Sequence, residues 1–198
     1  MSQISTQELE RLPLRVHDFL FGVPLHDAWA VDLPKVRSGI TLDEFLRATS
    51  ARPFKLSWPA GALMNIRFFF GGLLSWDREP AASTWETFAE RMTPADHSSS
   101  LVPAGTREGP FRMVYRFENE QLLELINRTA HAAALSALIE TANAYRFYFG
   151  VYVSSVSRFT PIYMALIDPF RKLIVYPSLL RSVRAKWNEI YSAASELP

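Results

Sequence analysis

Hydrophobic and polar residues alternate through most of the chain between residues 111 and 155. A period of two is typical of strands that bury one face. Four strands are predicted here, at residues 111–117, 122–126, 129–139 and 145–155. Short turns separate them, which favours an antiparallel meander. An earlier strand is predicted at residues 26–33, ended by Pro34.

Helical spacing dominates the C-terminal segment, residues 160–194, where apolar residues recur every three or four positions. Thr160 is a suitable N-cap, and Pro161 suits the first helical position. Pro169 and Pro177 lie inside the segment, so a kink or a break is expected at each. Further helices are predicted at residues 42–49 after a Thr41 cap, at 61–76, and from 83 or 84 to 91.

Residues 93–110 have no clear periodicity and contain three prolines and two glycines. This stretch is predicted to be a mobile loop or a lid. It is not taken as a domain boundary, because the apolar helix before it needs the sheet after it for burial. The prediction is therefore one domain, residues 1–198, of the α+β class, with a curved antiparallel sheet packed on a long, proline-kinked C-terminal helix.

Composition narrows the classes of function. Hydrophobic residues make up 48% of the chain and aromatic residues 13%, so a sizeable, aromatic-lined core is expected. The net charge of +1 gives no nucleic-acid footprint. The longest apolar run, residues 62–74, is too short to span a bilayer, so no stable membrane insertion is expected. With no signal peptide visible, the protein is predicted to be cytoplasmic. The oligomeric state stays open.

The absence of cysteine excludes disulfides, thiolate metal sites and a cysteine nucleophile. No glycine-rich phosphate loop and no paired-histidine metal motif occurs in the sequence. Neither a cofactor nor a metal is therefore predicted.

Two-residue turns would determine which side chains share a face of the sheet. They place Tyr115 opposite Glu124, and Glu124 opposite His131, on a face that is otherwise apolar. This face is expected to pack against the C-terminal helix and the helix at 61–76. The length of the loop before the last strand decides which of that strand's residues join this face. The set Phe147, Phe149 and Val151 is favoured over the alternative set Arg146, Tyr148 and Tyr152.

The predicted row of Tyr115, Glu124 and His131 has two interpretations. In a catalytic one, His131 is a general base, Glu124 orients it and Tyr115 donates a proton. In a structural one, the row satisfies its own hydrogen bonds and fixes the strand register. The structural interpretation weighs more, because structural polar networks are commoner than catalytic ones. One histidine and one carboxylate also fall short of the three protein ligands usual for zinc.

The leading hypothesis is binding of a small apolar or aromatic ligand in a cavity between the sheet and the C-terminal helix. An apolar face with few polar groups is typical of ligand cavities. The predicted lining residues are Phe111, Met113, Tyr115, Glu124, His131, Leu135, Phe147, Phe149, Tyr163 and Phe170. Two alternatives stay open: a cyclase- or dehydratase-type enzyme using the polar row, and a protein with a filled core that acts through its surface.

Four segments carry a resemblance to known proteins: HDAWAVDLP at 26–34, LLSWD at 73–77, FRMVYRFENEQLLELINRTAHAAA at 111–134 and RFTPIYMALIDPFRKLIVYPSLL at 158–180. In this order they resemble the bacterial family called domain of unknown function 2867. By analogy the resemblance implies the helix-grip fold of START-like proteins, which hosts too many functions to select one. The functional residues it implies are Glu120, Asn127, His131, Tyr163, Pro169, Phe170 and Arg171.

Overall fold

A computed structural model describes residues 2–50, 86–126, 131–154 and 160–192. Its strands are β1 (Ser2–Gln3), β2 (Leu25–Pro34), β3 (Arg107–Glu108), β4 (Phe111–Arg116), β5 (Glu120–Ile126), β6 (His131–Glu140) and β7 (Ala144–Ser154). They form one curved antiparallel sheet in the order β1-β2-β7-β6-β5-β4-β3. The predicted α+β class is confirmed. The sheet has seven strands rather than five because both edges are two-residue strands, too short to produce a periodic pattern.

The helices lie before, within and after the strand sequence. They are α1 (Thr6–Glu10), α2 (Val16–Phe19), α3 (Leu42–Ser50), a 3-10 helix (Phe88–Arg91), α4 (Pro94–Ser99), α5 (Thr160–Phe170), a π-helix (Arg171–Val175), α6 (Tyr176–Trp187) and a second π-helix (Asn188–Ser192). The Thr41 cap of α3 is confirmed: Thr41 Oγ1 accepts a hydrogen bond from the Glu44 N–H at 3.1 Å.

The C-terminal helix continues past both of its prolines. Among the described residues no loop interrupts 160–192, so the predicted breaks are absent. A π-helix lies between Pro169 and Pro177 instead, and the Tyr176 N–H donates to the carbonyl of Arg171, five residues back. A bend of the helix axis at either proline stays a prediction.

The two faces of the sheet pack against different parts of the chain. One face, called here the α1 face, packs against the N-terminal helices and the 3-10 helix, and its core includes Leu9, Phe19, Phe88, Tyr115, Leu122, Leu135 and Tyr148. The other, called the α6 face, packs against α3 and the C-terminal helix, and its core includes Leu33, Phe45, Phe147, Leu180, Val183 and Trp187. The face that carries Tyr115 and Leu135 therefore packs on the N-terminal helices, and the prediction that it packs on the C-terminal helix was wrong.

The β6–β7 register corrects the choice between the two sets of last-strand residues. Leu135 pairs with Gly150 and Ala137 with Tyr148. Tyr148 therefore shares the α1 face with Leu135, whereas Phe147 lies on the α6 face. The favoured phenylalanine set was wrong, because a one-residue change in loop length exchanges the faces of a whole strand.

Residues 93–110 contain regular structure that was predicted to be loop. Thr93 and Asp96 form a capping box at the start of α4, with Pro94 in its first turn. Arg15 Nη2 lies 2.7 Å from Asp96 Oδ1 and ties this helix to the N-terminal region. The strand β3 follows and pairs with β4. The mobility of the stretch stays a prediction.

Some predicted features lie outside the described residues. These are the helix at 61–76, the start of the helix predicted from 83 or 84, the turn at Asn127 and Arg128, the side chains of Thr160 and Tyr163, and the end of the last helix beyond residue 192. In the part of the chain that is described, every helix is too short or too polar to cross a bilayer.

Acid is expected to destabilise the fold partly through Glu140. Lys35 Nζ lies 2.7 Å from its Oε1, and the Gly39 N–H and the Tyr145 hydroxyl each donate to its Oε2 at 2.9 Å. These contacts hold the pKa of Glu140 at about 2, below its ordinary value of 4.5. The unfolded chain therefore binds a proton that the folded chain does not, and this stabilisation is full above pH 4.5 and lost towards pH 2.

Urea titrations at about pH 6 and about pH 3 test this prediction. The Glu140→Gln variant is expected to lose less stability between the two pH values than the parent protein does. Glu118→Gln changes an exposed glutamate and should behave like the parent. An equal acid-induced loss of stability in all three proteins would contradict the contribution assigned to the lowered pKa of Glu140.

Candidate functional site

A buried carboxylate, Asp27, interrupts the otherwise apolar side of β2 that belongs to the α6 face. Its side chain is fully shielded from solvent (0% exposed). The pairing of β2 with β7 shifts register between Leu25 and Asp27. Such irregularities re-aim a side chain and are over-represented near active sites.

The C-terminal helix supplies the charged partners of Asp27. Arg171 Nη2 lies 3.0 Å from Asp27 Oδ2 and also pairs with Asp168 Oδ1. Lys172 Nζ lies 3.0 Å from Asp168 Oδ2 and 3.7 Å from Asp27 Oδ1. His26 Nε2 lies 3.1 Å from Asp168 Oδ1. Arg171 and Lys172 begin the first π-helix, a rare structure that is frequent at functional sites.

Aromatic rings border this charged group. The Tyr176 ring centroid lies 5.6 Å from that of Trp29 and 5.6 Å from that of Phe149, while Arg171 Cζ lies 5.7 Å from it. The Tyr176 hydroxyl donates to Asp27 Oδ2 at 3.3 Å. The Asp27 cluster is defined here as His26, Asp27, Trp29, Asp168, Arg171, Lys172 and Tyr176.

Three buried polar atoms of the Asp27 cluster have no hydrogen-bond partner among the described residues. They are Asp27 Oδ1, Trp29 Nε1 and Arg171 Nε. Only two other buried side-chain atoms in the described ranges share this property, one on Asp43 and one on Arg146. A buried polar atom without a partner costs about 1–3 kcal/mol. Their concentration in one place marks the Asp27 cluster as a candidate binding site within the described part of the chain.

The charges of the Asp27 cluster balance. Burial alone would raise the pKa of Asp168, but hydrogen bonds from Lys172 and Arg171 outweigh it and hold that pKa below its ordinary value. The hydrogen bond with Asp168 in turn raises the pKa of Lys172. Two carboxylates and two cations thus face one another, and the cluster is formally neutral when His26 is neutral.

Three residues of the cluster have the chemistry of metal ligands. One ligand atom from each of His26, Asp27 and Asp168 lies within 4.8 Å of the others. Arg171 already bridges the two carboxylates, however, and Lys172 contacts both. A divalent cation would have to displace these cations, so the arrangement favours an ion-pair network over a metal site.

The polar row predicted from sequence divides into two separate pairs on the α1 face. His131 Nε2 lies 2.7 Å from Glu124 Oε1, so the predicted contact between these two residues is present. Tyr115 instead donates to Glu120 Oε1 at 2.5 Å. Among the described hydrogen bonds Tyr115 makes none to Glu124, because a register irregularity between Met113 and Tyr115 places Tyr115 opposite Leu122.

Both glutamates accept hydrogen bonds from backbone N–H groups of helices that pack on the sheet. Glu120 accepts hydrogen bonds from Arg15 N–H at 2.8 Å and Val16 N–H at 3.1 Å, at the start of α2. Glu124 Oε1 accepts one from Phe88 N–H at 2.6 Å, at the start of the 3-10 helix. These are helix-docking contacts, as the structural interpretation expects. Burial raises the pKa of Glu120 and of Tyr115.

The other predicted lining residues lie apart. Met113 and Leu135 are buried, and Phe111 is half-buried at the start of β4. Phe147 is in the α6-face core, whereas Phe170 is 48% exposed. Phe149 lies beside the Asp27 cluster. The described members of the predicted set therefore divide between the two faces of the sheet.

Comparison with known proteins places these features in a family. A family model described as protein of unknown function (DUF2867) matches residues 20–178. The chain belongs to this family. The match spans the Asp27 cluster and both glutamate pairs, so each site lies within the family's common region. No curated protein and no solved structure gives a significant match.

Most of the Asp27 cluster was missed in the sequence. The resemblance to DUF2867 singled out Arg171, and the predicted lining included the neighbouring Phe149. A signal for Asp27 was present, since it is in phase with Trp29, Val31 and Leu33 on the buried side of HDAWAVDLP. A charged residue at an inward position of a strand needs a partner, and that requirement could have identified it.

Proposed function

We propose that this DUF2867 protein binds a small ligand with an aromatic or apolar body at the Asp27 cluster, between the sheet and the C-terminal helix. One observation carries the proposal: buried polar atoms of Asp27, Trp29 and Arg171 have no hydrogen-bond partner among the described residues, beside the aromatic rings of Trp29, Phe149 and Tyr176.

The composition of the cluster supports this function. Ligand sites typically combine apolar and aromatic walls with a few placed polar groups. Asp27, Trp29 and Arg171 supply the polar groups, and a ligand that bonded them would remove their desolvation cost. The π-helix at Arg171 and the bulge at Asp27 supply the local irregularities that are frequent at such sites.

The proposal keeps the location predicted from the sequence, beneath the C-terminal helix, but moves the lining to the α6 face. The analogy with the helix-grip fold belongs to the proposal too, because a curved antiparallel sheet and a C-terminal helix are its main parts. In that analogy the ligand lies between these two layers, where the Asp27 cluster joins them.

One observation favours the enzymatic alternative. Glu124 lines a surface pocket of about 220 Å³ together with Thr87, Gly105, Arg112 and Met113. Glu124, bonded to His131, is the acid–base group that this pocket would offer to a small substrate. The contact of Glu124 with the Phe88 N–H gives the pair a structural role as well, so ligand binding at the Asp27 cluster is preferred.

Native mass spectrometry of freshly purified protein tests the proposal. A bound small molecule is expected on the parent protein. Asp27→Asn should weaken its binding by about tenfold, which corresponds to ~1.4 kcal/mol, and so lower the bound fraction. Asp43→Asn is a matched control, because Asp43 is also buried with one unpartnered oxygen but lies outside the cluster. No bound molecule on the parent, or full retention in Asp27→Asn, would contradict the proposal.

A further inference from the structure

We infer that the Asp27 cluster recognises a neutral carboxamide, or an equivalent group that places an N–H donor beside a carbonyl acceptor. This inference rests on the proposed function and deepens it by naming the polar group of the ligand. The atoms that would recognise this group are Asp27 Oδ1, Trp29 Nε1 and Arg171 Nε.

The hydrogen-bonding capacities of the three atoms define what they can accept. An indole Nε1–H and a guanidinium Nε–H are donors only, and an ionised carboxylate oxygen is an acceptor only. The cluster therefore has two donors and one acceptor to satisfy. A ligand that satisfies all three carries both an acceptor and a donor, as a carboxamide does.

Charge excludes the two ionised analogues of that group. The carboxylates of Asp27 and Asp168 are already paired with Arg171 and Lys172. A ligand carboxylate would place a third negative charge near Asp27 and offer its oxygen no donor. A ligand ammonium would add a third cation beside Arg171 and leave both donors unsatisfied. A neutral group avoids both penalties.

The rings beside these atoms select the body of the ligand. The Tyr176 ring centroid lies 5.6 Å from that of Trp29 and 5.6 Å from that of Phe149. An aromatic ring packs favourably against such faces. Benzamide, benzoate and benzylamine are therefore matched probes, since they share a ring and differ in the polar group.

The indole N–H of Trp29 reports directly on the inference. The chain has five tryptophans, so its indole signals are few in a two-dimensional ¹H–¹⁵N spectrum. Trp29→Phe identifies the Trp29 signal and keeps an aromatic ring at this position. Trp187 is an internal control, because its Nε1 already donates to the Pro34 carbonyl at 2.9 Å.

Benzamide is expected to move the Trp29 signal downfield and saturably, while the Trp187 signal stays in place. Benzoate and benzylamine are expected to bind at least about tenfold more weakly. Asp27→Asn should weaken benzamide binding by about tenfold, and Asp43→Asn should not. Should Asp27→Asn fail to fold, Trp29→Phe provides the second variant, with the same loss expected from ligand-observed titration.

The possible outcomes separate this inference from the proposed function. No effect of benzamide on the Trp29 signal, or tighter binding of benzoate or benzylamine at this site, overturns the inference. The proposed function is judged separately by the molecule that co-purifies with the protein. A bound molecule that depends on Asp27 but carries no donor–acceptor pair would uphold the function and overturn the inference.

Discussion

Replacing Glu120 with alanine is expected to lower the free energy of unfolding by about 3 kcal/mol or more. The carboxylate receives hydrogen bonds from the Arg15 N–H, the Val16 N–H and the Tyr115 hydroxyl, and the residue is only 5% exposed. Alanine would leave all three donors unsatisfied between α2 and the sheet. Hydrogen bonds to charged groups are worth about 1.5–3 kcal/mol each, and the cost of burying the charge offsets part of this.

Two further variants make the Glu120 prediction specific. Glu120→Gln keeps one carbonyl oxygen for Val16 and Tyr115, but its amide nitrogen would face the Arg15 N–H, so an intermediate cost is expected. Glu118→Gln alters an exposed neighbour and should have little effect. Urea titrations of the three variants provide the measurement. A cost of Glu120→Ala within error of zero would mean that α2 does not depend on this carboxylate.

The contact between Glu124 and His131 could be predicted from sequence because the error in strand register was even. The prediction paired Ile126 with Thr129, whereas Ile126 pairs with His131, two positions further along. A shift of two residues moves a partner along the strand without changing its face. The two side chains therefore stayed on one face and within reach of each other.

Odd shifts and bulges explain the features that were missed. The choice of face for Phe147 depended on a single residue of loop length, which the sequence does not determine. The register irregularity between Met113 and Tyr115, which separates Tyr115 from Glu124, has no distinct sequence marker. Local pattern shows which strands exist, but the relative register of two strands depends on the packing of the whole sheet.

The Asp27 cluster was beyond local sequence reasoning for a different reason. Asp27 and Arg171 are separated by 144 positions in the chain. Periodicity places each on its own element, Asp27 on a strand and Arg171 on a helix, but does not show that the two elements meet there. The π-helix that begins at Arg171, between Pro169 and Pro177, was not predicted from the sequence either.

Glu124 and His131 are expected to show a coupling energy of about 0.5–3 kcal/mol in a double-mutant cycle. His131→Ala removes the hydrogen-bond partner 2.7 Å from Glu124 and the ring that stacks on Phe88 with centroids 4.0 Å apart. About 1–3 kcal/mol of stability should be lost, because Glu124 stays buried with one fewer partner. Glu124→Gln keeps an acceptor for the Phe88 N–H and should cost less.

The cycle uses the two single variants His131→Leu and Glu124→Leu and the double variant that combines them. Stability and ligand occupancy of the double variant complete the test. Part of the loss should be recovered, since two apolar side chains need no partner, but the Phe88 N–H still loses its acceptor. Simple additivity of the two single costs would contradict a direct interaction between Glu124 and His131. His97→Ala, at an exposed histidine, is the control.

The folded double variant should keep the bound small molecule, because the Asp27 cluster lies on the opposite face of the sheet. Loss of that molecule from a folded double variant would place the ligand at Glu124 and His131 instead.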